Sequence, residues 1–196
     1  MVNSIFKGAL FLLACVFLTS SNEEDMPLMT VGNNNWLMNN LGVTHFRNGE
    51  EIPFAKTKKD WFDAAKKEEP AWCYYKDDQK TGEKYGKLYN WYAVNDSRGI
   101  APEGFRVATL SDWQAFKNEM NGDEINGVPL ENLLQLGGYR FYGGAYDFED
   151  KMGFWWTSDE RDNGNAYFFS VQKKKYNTLI DFNHKEDGMY VKVIRE

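Results

Sequence analysis

Hydrophobic and polar positions divide this chain into three regimes. Residues 8–14 are apolar without interruption behind the lone charge of Lys7, a run too short to span a bilayer as a helix. Residues 20–27 are polar and carry Glu23, Glu24 and Asp25. From residue 29 the pattern is that of a folded domain. Residues 29–32 read as a short strand and Asn33, Asn34 and Asn35 as a turn, because Asn tolerates left-handed backbone. Over 36–41 apolar residues alternate with Asn, which fits a half-buried edge strand. Asn48-Gly49 marks a hairpin-type turn between extended flanks. Asp60 is placed to cap a short helix over 61–65 that Pro70 closes.

The clearest helix starts at Thr109, an N-cap with Asp112 three positions on. Trp113, Phe116 and Met120 then form one apolar face, and Asn121-Gly122 ends it. A smaller helical turn over 129–135 has Pro129 at its start and Gly137-Gly138 past its end. Beyond it the pattern turns to strands over 138–144, 153–158, 165–171, 178–182 and 189–194. In the last of these, Met189, Val191 and Val193 are expected to face the core while Tyr190 and Lys192 face out. The elements predict an α+β domain, with one principal helix packed on antiparallel strands and long, aromatic-rich loops.

Composition narrows the function classes. Aromatic residues make up 16% of the 196, which favours pleated, half-buried surfaces. The net charge is −6, and an acidic domain without a basic cluster repels nucleic acid. Lys173, Lys174 and Lys175 read as a solvated loop or strand end. Residues 1–14 read as a signal peptide. Leu12-Leu13-Ala14-Cys15 resembles a lipobox, whose thiol becomes thioether-linked to diacylglycerol, so Cys15 is the expected lipidation site and residues 15–28 a lipidated tether. Ordinary cleavage after Thr19-Ser20-Ser21 is the competing reading, and gives a secreted protein. With Cys15 lipidated, Cys73 has no partner for an intrachain disulfide and reads as a small buried hydrophobe.

Ordered blocks then carry a resemblance. They are residues 35–41, 46–49, 85–94 with 100–105, 109–113, Gly137-Gly138-Tyr139-Arg140 with Gly143-Gly144, 154–158 and 188–196. Together, over about 29–196, they resemble the Fibrobacter succinogenes major paralogous domain, FISUMP. The resemblance implies an exported or lipid-anchored protein of a gut or rumen bacterium. It also implies a C-type-lectin-like fold related to the formylglycine-generating enzyme, with a displayed loop surface. Two positions depart from the family: Val193 stands where a Cys is usual, and Ala108 where a Pro is. The first implies that the family's disulfide to the position of Cys73 is lost.

The candidate ligand surface is Trp155 and Trp156 with Asp159, Glu160, Asn163, Asn165 and Tyr167. A ring stacks on the C–H face of a sugar while amides and carboxylates take its hydroxyls. Neighbouring strand residues face opposite ways, so one Trp at most points at that surface. The competing reading is one core Trp on a hydrated hairpin. Arg140 is expected to satisfy loop carbonyls. Asp147, Glu149 and Asp150 offer oxygen ligands to Ca²⁺, or form a solvated loop. No nucleophile elbow, His-Glu-x-x-His or phosphate loop occurs, so no catalytic residue, metal or cofactor is expected. The expected partners are a membrane, through the lipid anchor, and a glycan or surface protein. A structural or adhesive role in a surface or fimbria-like assembly is the alternative.

Overall fold

The computed structural model describes residues 26–196; the leader over 1–14, Cys15 and nearly all of the tether lie outside them. β1 (Leu28–Val31) and β2 (Asn34–Leu37) form an antiparallel hairpin turning at Gly32, which has φ +59°. Asn34 and Asn35 therefore belong to β2 and not to the turn. α1 (Lys58–Lys67) is capped by Thr57, whose hydroxyl accepts Asp60 N at 3.1 Å while Asp60 Oδ2 accepts Thr57 N at 3.0 Å. Asp60 is thus the third helical residue and the reciprocal half of the cap, which lengthens the expected helix by a turn at its start. β3 (Trp72–Cys73) and β4 (Leu88–Tyr89) pair across α2 (Gln79–Tyr85), and α3 (Trp91–Val94) and β5 (Phe105–Val107) follow.

α4 (Leu110–Glu119) repeats the reciprocal cap with Thr109 and Asp112, as its sequence predicts. Asp112 also accepts Asn34 Nδ2 at 2.9 Å and Arg106 Nη2 at 3.1 Å, joining α4 to β2 and β5. Burial works to raise this carboxyl, but the Arg106 guanidinium and Thr109 hold it down at about 2. With 10 residues each, α1 and α4 are equal in length, so there are two principal helices where one was expected.

The remaining strands are β6 (Glu124–Ile125), β7 (Val128–Pro129), β8 (Gly137–Arg140), β9 (Tyr146–Glu149), β10 (Met152–Glu160), β11 (Asn165–Gln172), β12 (Asn177–His184), β13 (Tyr190–Val191) and β14 (Val193–Arg195). A four-stranded sheet has the order β1-β2-β14-β5, so the first hairpin pairs with the closing strand. β2 lies inside this sheet and not at its edge, which is why Trp36 and Leu37 are buried. The second sheet runs β12-β11-β10-β8-β9, with β13 added in parallel to β10. The fold is mixed α+β. Two glycines permit close approach at β8. A Cβ on Gly137 would lie 2.2 Å from Tyr190 Oη, and one on Gly138, at φ +72°, would lie 2.1 Å from Asp147 O.

Two aromatic clusters fill the interior. Trp36, Trp113, Phe116, Trp155 and Phe169 make the first, where Trp113 stacks on Phe169 at 4.2 Å. Trp72, Tyr89, Trp91, Trp156 and Phe168 belong to the second. β10 runs between them. Trp155 and Trp156 do face opposite ways, but each is 0% exposed because both faces of the strand are covered. The expectation of an outward Trp is therefore corrected.

The closing segment departs in the same way. Tyr190 enters the first cluster, Val191 and Val193 the second, and Lys192 is fully buried. The Lys192 ammonium donates to Met38 O at 2.6 Å, Leu37 O at 3.3 Å and Gln135 Oε1 at 3.4 Å, while burial pushes it well below the usual lysine range. Tyr190 and Lys192 do not face solvent.

Both edges of the second sheet are blunted. On β12, Asp181 Oδ1 takes the amide of Phe182 at 2.9 Å, and Asn183 Oδ1 takes that of His184 at 3.0 Å. On β9, Asp147 Oδ1 takes the amide of Phe148 at 2.6 Å. Amides engaged by their own neighbours cannot template an incoming strand.

Candidate functional site

The seven residues expected to bind ligand do not form an open site. Trp155 Nε1 donates to Asn40 Oδ1 at 2.7 Å and Trp156 Nε1 to Tyr89 O at 3.0 Å, both inside the core. Asp159 Oδ2 accepts Leu110 N at 2.6 Å, which places a negative charge on the first turn of α4. Asn165 Nδ2 donates to Asp162 Oδ1 at 2.8 Å, and Tyr167 lies opposite Phe182 in the β11–β12 register. Glu160 pairs with Lys185, whose ammonium also donates to Asn163 O at 2.9 Å and sits 4.8 Å from the Trp91 ring. This hairpin satisfies its own polar groups.

Lys185 itself belongs to the segment that leaves the end of β12, residues 183–188. Lys185 N donates to Gly164 O at 3.1 Å, and Lys185 O accepts Trp91 N at 2.8 Å. Glu186 O accepts Trp61 Nε1 at 3.0 Å. Gly188 exchanges both backbone hydrogen bonds with Arg140, at 2.7 and 2.9 Å, and a Cβ there would lie 3.0 Å from the Trp61 ring. Facing this segment is the tight turn between β8 and β9, closed by Phe141 N to Ala145 O and Gly144 N to Phe141 O, each 2.8 Å. That turn presents Tyr142.

Tyr142 is 53% exposed, among the most open large side chains of the described residues. Its ring meets that of His184 edge-on at 5.5 Å. With Glu186 the two line an open cleft of about 280 Å³. The Glu186 carboxylate has one oxygen, Oε2, shut away from solvent without a hydrogen-bond partner. Behind the turn, Asp187 is 1% exposed and its Oδ1 accepts Tyr142 N at 2.6 Å. Burial raises this carboxyl to about 7, the Glu186 charge adds to the rise, and the Tyr142 amide opposes it. The Tyr92 hydroxyl is raised to about 12, first by burial and then by the charges of Glu186 and Glu68. Both shifts favour the protonated, uncharged forms of Asp187 and Tyr92.

A larger cleft of about 340 Å³ is lined by Lys84, Tyr85, Glu131, Gln135, Asp150 and Lys173 among others. Asp150 Oδ1 accepts both Lys84 Nζ at 2.9 Å and Tyr85 Oη at 2.8 Å. Glu149 pairs with Lys76 at 2.7 Å, and Asp147 is taken by Phe148 N, so these carboxylates are engaged within the protein.

Cys73 is a buried free thiol, pushed up to about 11 by burial against the opposing Arg140 charge, which leaves it a poor nucleophile. Val193 belongs to the other aromatic cluster. Arg140 does not satisfy loop carbonyls with its side chain. Its guanidinium lies 4.7 Å from the Trp61 ring and 5.0 Å from the Tyr146 ring, donates only to Asp77 Oδ1 at 3.3 Å, and keeps Nε and Nη2 without partners.

Sequence reading missed Tyr142, His184 and Glu186. The available signal was local: an aromatic residue directly before Gly143-Gly144, and a charged turn ending at Gly188. Their convergence depends on residues distant in the chain. Among known families, the model described as the Fibrobacter succinogenes major domain matches residues 29–132, more than half of the chain. No curated protein and no solved structure matches. The matched stretch begins within β1 and stops ahead of β8, so it carries the opening blocks of the resemblance but not those after residue 132. The chain belongs to the Fibrobacter succinogenes major domain family.

Proposed function

We propose that this protein is an exported, lipid-anchored bacterial surface module with a C-type-lectin-like arrangement, which binds a glycan and catalyses nothing. One observation carries the reading: an open cleft in which the exposed Tyr142 ring stands beside His184 and the Glu186 carboxylate. A sugar ring stacks its C–H face on such a ring while its hydroxyls donate to the acid. The lectin-like part is supported by the pairing of the first hairpin with the closing strand, which leaves the loops between them for display. Anchoring rests on residues 12–15 and on membership of a family typical of bacterial surface proteins.

The carboxylates weigh against glycoside hydrolysis. Hydrolysis of a glycosidic bond uses two carboxyl groups facing it from opposite sides. Here Glu186 faces the cleft, while Asp187 is turned inward to the Tyr142 amide. An adhesive scaffold is the second reading, favoured by Leu179 at 51% and Phe182 at 40% exposure on an edge strand. Screening the purified protein against host and bacterial glycans tests the first reading. Tyr142→Ala should weaken binding by about 1–3 kcal/mol without unfolding the protein. No binding at millimolar glycan would overturn the reading in favour of the scaffold. Fatty-acid labelling that persists in Cys15→Ser would overturn the anchor.

A further inference from the structure

We infer that the Tyr142–His184–Glu186 cleft is selective for a sugar bearing a free, protonated amine, over the same sugar acylated on nitrogen. The inference rests on the glycan-binding reading above and adds the charge of the ligand. The charged groups around the cleft decide it. Glu186 is the lining carboxylate; its Oε2 is shut away from solvent on the side of the Tyr92 hydroxyl, which leaves Oε1 to meet a ligand. Asp187 lies directly behind the Tyr142 amide, and the Glu186 charge acts on it as well as on Tyr92, which also feels Glu68 from the end of α1.

Two lysines are near. Lys185 is occupied by Glu160, the Asn163 carbonyl and the Trp91 ring. Lys58 lays its aliphatic stem against Gly144, where a Cβ would lie 2.6 Å from Lys58 Cγ, so it buttresses the turn from below. Neither cation is bonded to Glu186.

A half-buried carboxylate with no cation bonded to it attracts an ammonium more strongly than one in open water. The Tyr142 ring adds a second attraction, because the face of an aromatic ring carries partial negative charge. An amino sugar supplies both parts, an ammonium for the acid and the ring, and a C–H face for stacking. N-acylation removes the charge and enlarges the substituent in a cleft of only about 280 Å³. A uronic acid would bring like charge to Glu186 and be rejected.

The test uses the purified full chain with two oligosaccharides of equal length, a glucosamine tetramer and its fully N-acetylated form, titrated calorimetrically near neutral pH. The expected result is a preference of roughly tenfold for the free amine, weakened by added salt. Glu186→Gln should reduce that preference to about twofold or less, with the larger loss on the free-amine tetramer, because the amide keeps an oxygen for sugar hydroxyls but no charge for the ammonium. Glu186→Asp, which keeps the charge, should retain part of the preference. Tyr142→Ala should weaken both ligands. Equal affinity for the two tetramers, or a preference unchanged in Glu186→Gln, would overturn the inference and leave glycan binding standing. Failure of both tetramers and of every other glycan would overturn both.

Discussion

Asp187 predicts a pH dependence of stability that one substitution should remove. Its carboxyl is 1% exposed, accepts Tyr142 N at 2.6 Å, and is raised by burial from 3.8 to about 7. The unfolded chain gives up this proton near the ordinary value, and the folded chain holds it until about pH 7. Stability from the protonated group is therefore complete in acid and is lost as pH rises through the folded value. Each pH unit between the two values is worth about 1.4 kcal/mol, so ionisation costs about 4 kcal/mol when complete, of which about 2–3 kcal/mol falls between about pH 5 and 8. Asp187→Asn keeps a carbonyl oxygen for the Tyr142 amide and carries no charge. Urea unfolding of both proteins across that pH range isolates the effect, because every other titrating group is common to the two. The variant should gain on wild type by about 2–3 kcal/mol between the acid and alkaline ends. A difference that stays flat across the range would show that the carboxyl is already ionised in the folded protein.

Two further outcomes test the fold. Trp155→Ala and Trp156→Ala should each destabilise the protein by about 3–5 kcal/mol, because both rings are 0% exposed in opposite clusters. Calorimetric melting checks this, and a variant that melts like wild type would place its ring at the surface. The double substitution Asp181→Ala and Asn183→Ala frees the amides of Phe182 and His184 on the edge strand, so self-association should rise with concentration in light scattering. A monomer at all concentrations would show that those side chains do not guard the edge.

What the sequence disclosed follows the range of the forces involved. α4 is legible because its cap and apolar face are both encoded within a dozen residues: Thr109 and Asp112 bond each other, and Trp113 and Phe116 share a buried side. β10, β11 and β12 are legible from runs of aromatic and branched residues between turns. Period-two alternation says that neighbours face opposite ways, but not whether each face is covered. Alternation therefore puts Tyr190 and one of Trp155 and Trp156 outside, whereas aromatic clusters on both sides of their strands bury all three; Val191 faces the core as alternation predicts. The same alternation puts Lys192 outside, where lysine is ordinarily found. Here backbone carbonyls of Leu37 and Met38, far away in sequence, hold its ammonium. α2 carries only a weak signal: Asp78 caps it, but it holds Gly82 and a single buried residue, Tyr85, so its sequence shows no apolar face.

The cleft was illegible for a related reason, and its anchoring explains how it can vary. The stretch matched by the family model, residues 29–132, supplies β2 and β5, and β14 from beyond it slots between them. The segment carrying His184 and Glu186 is likewise fixed at several points to that stretch. Trp91 N donates to Lys185 O, Trp61 Nε1 donates to Glu186 O, and Met189 exchanges backbone hydrogen bonds with Tyr89. Most of these anchors use backbone atoms of the segment and leave its side chains free. Tyr142 and His184, by contrast, touch each other at the rim and carry no part of the core. Replacing them changes the chemistry offered to a ligand while Trp61, Tyr89 and Trp91 continue to hold the loop in place. If the cleft binds a glycan as proposed, such a frame would keep its fold while its specificity changed, and the information for that specificity would lie in residues the frame does not need.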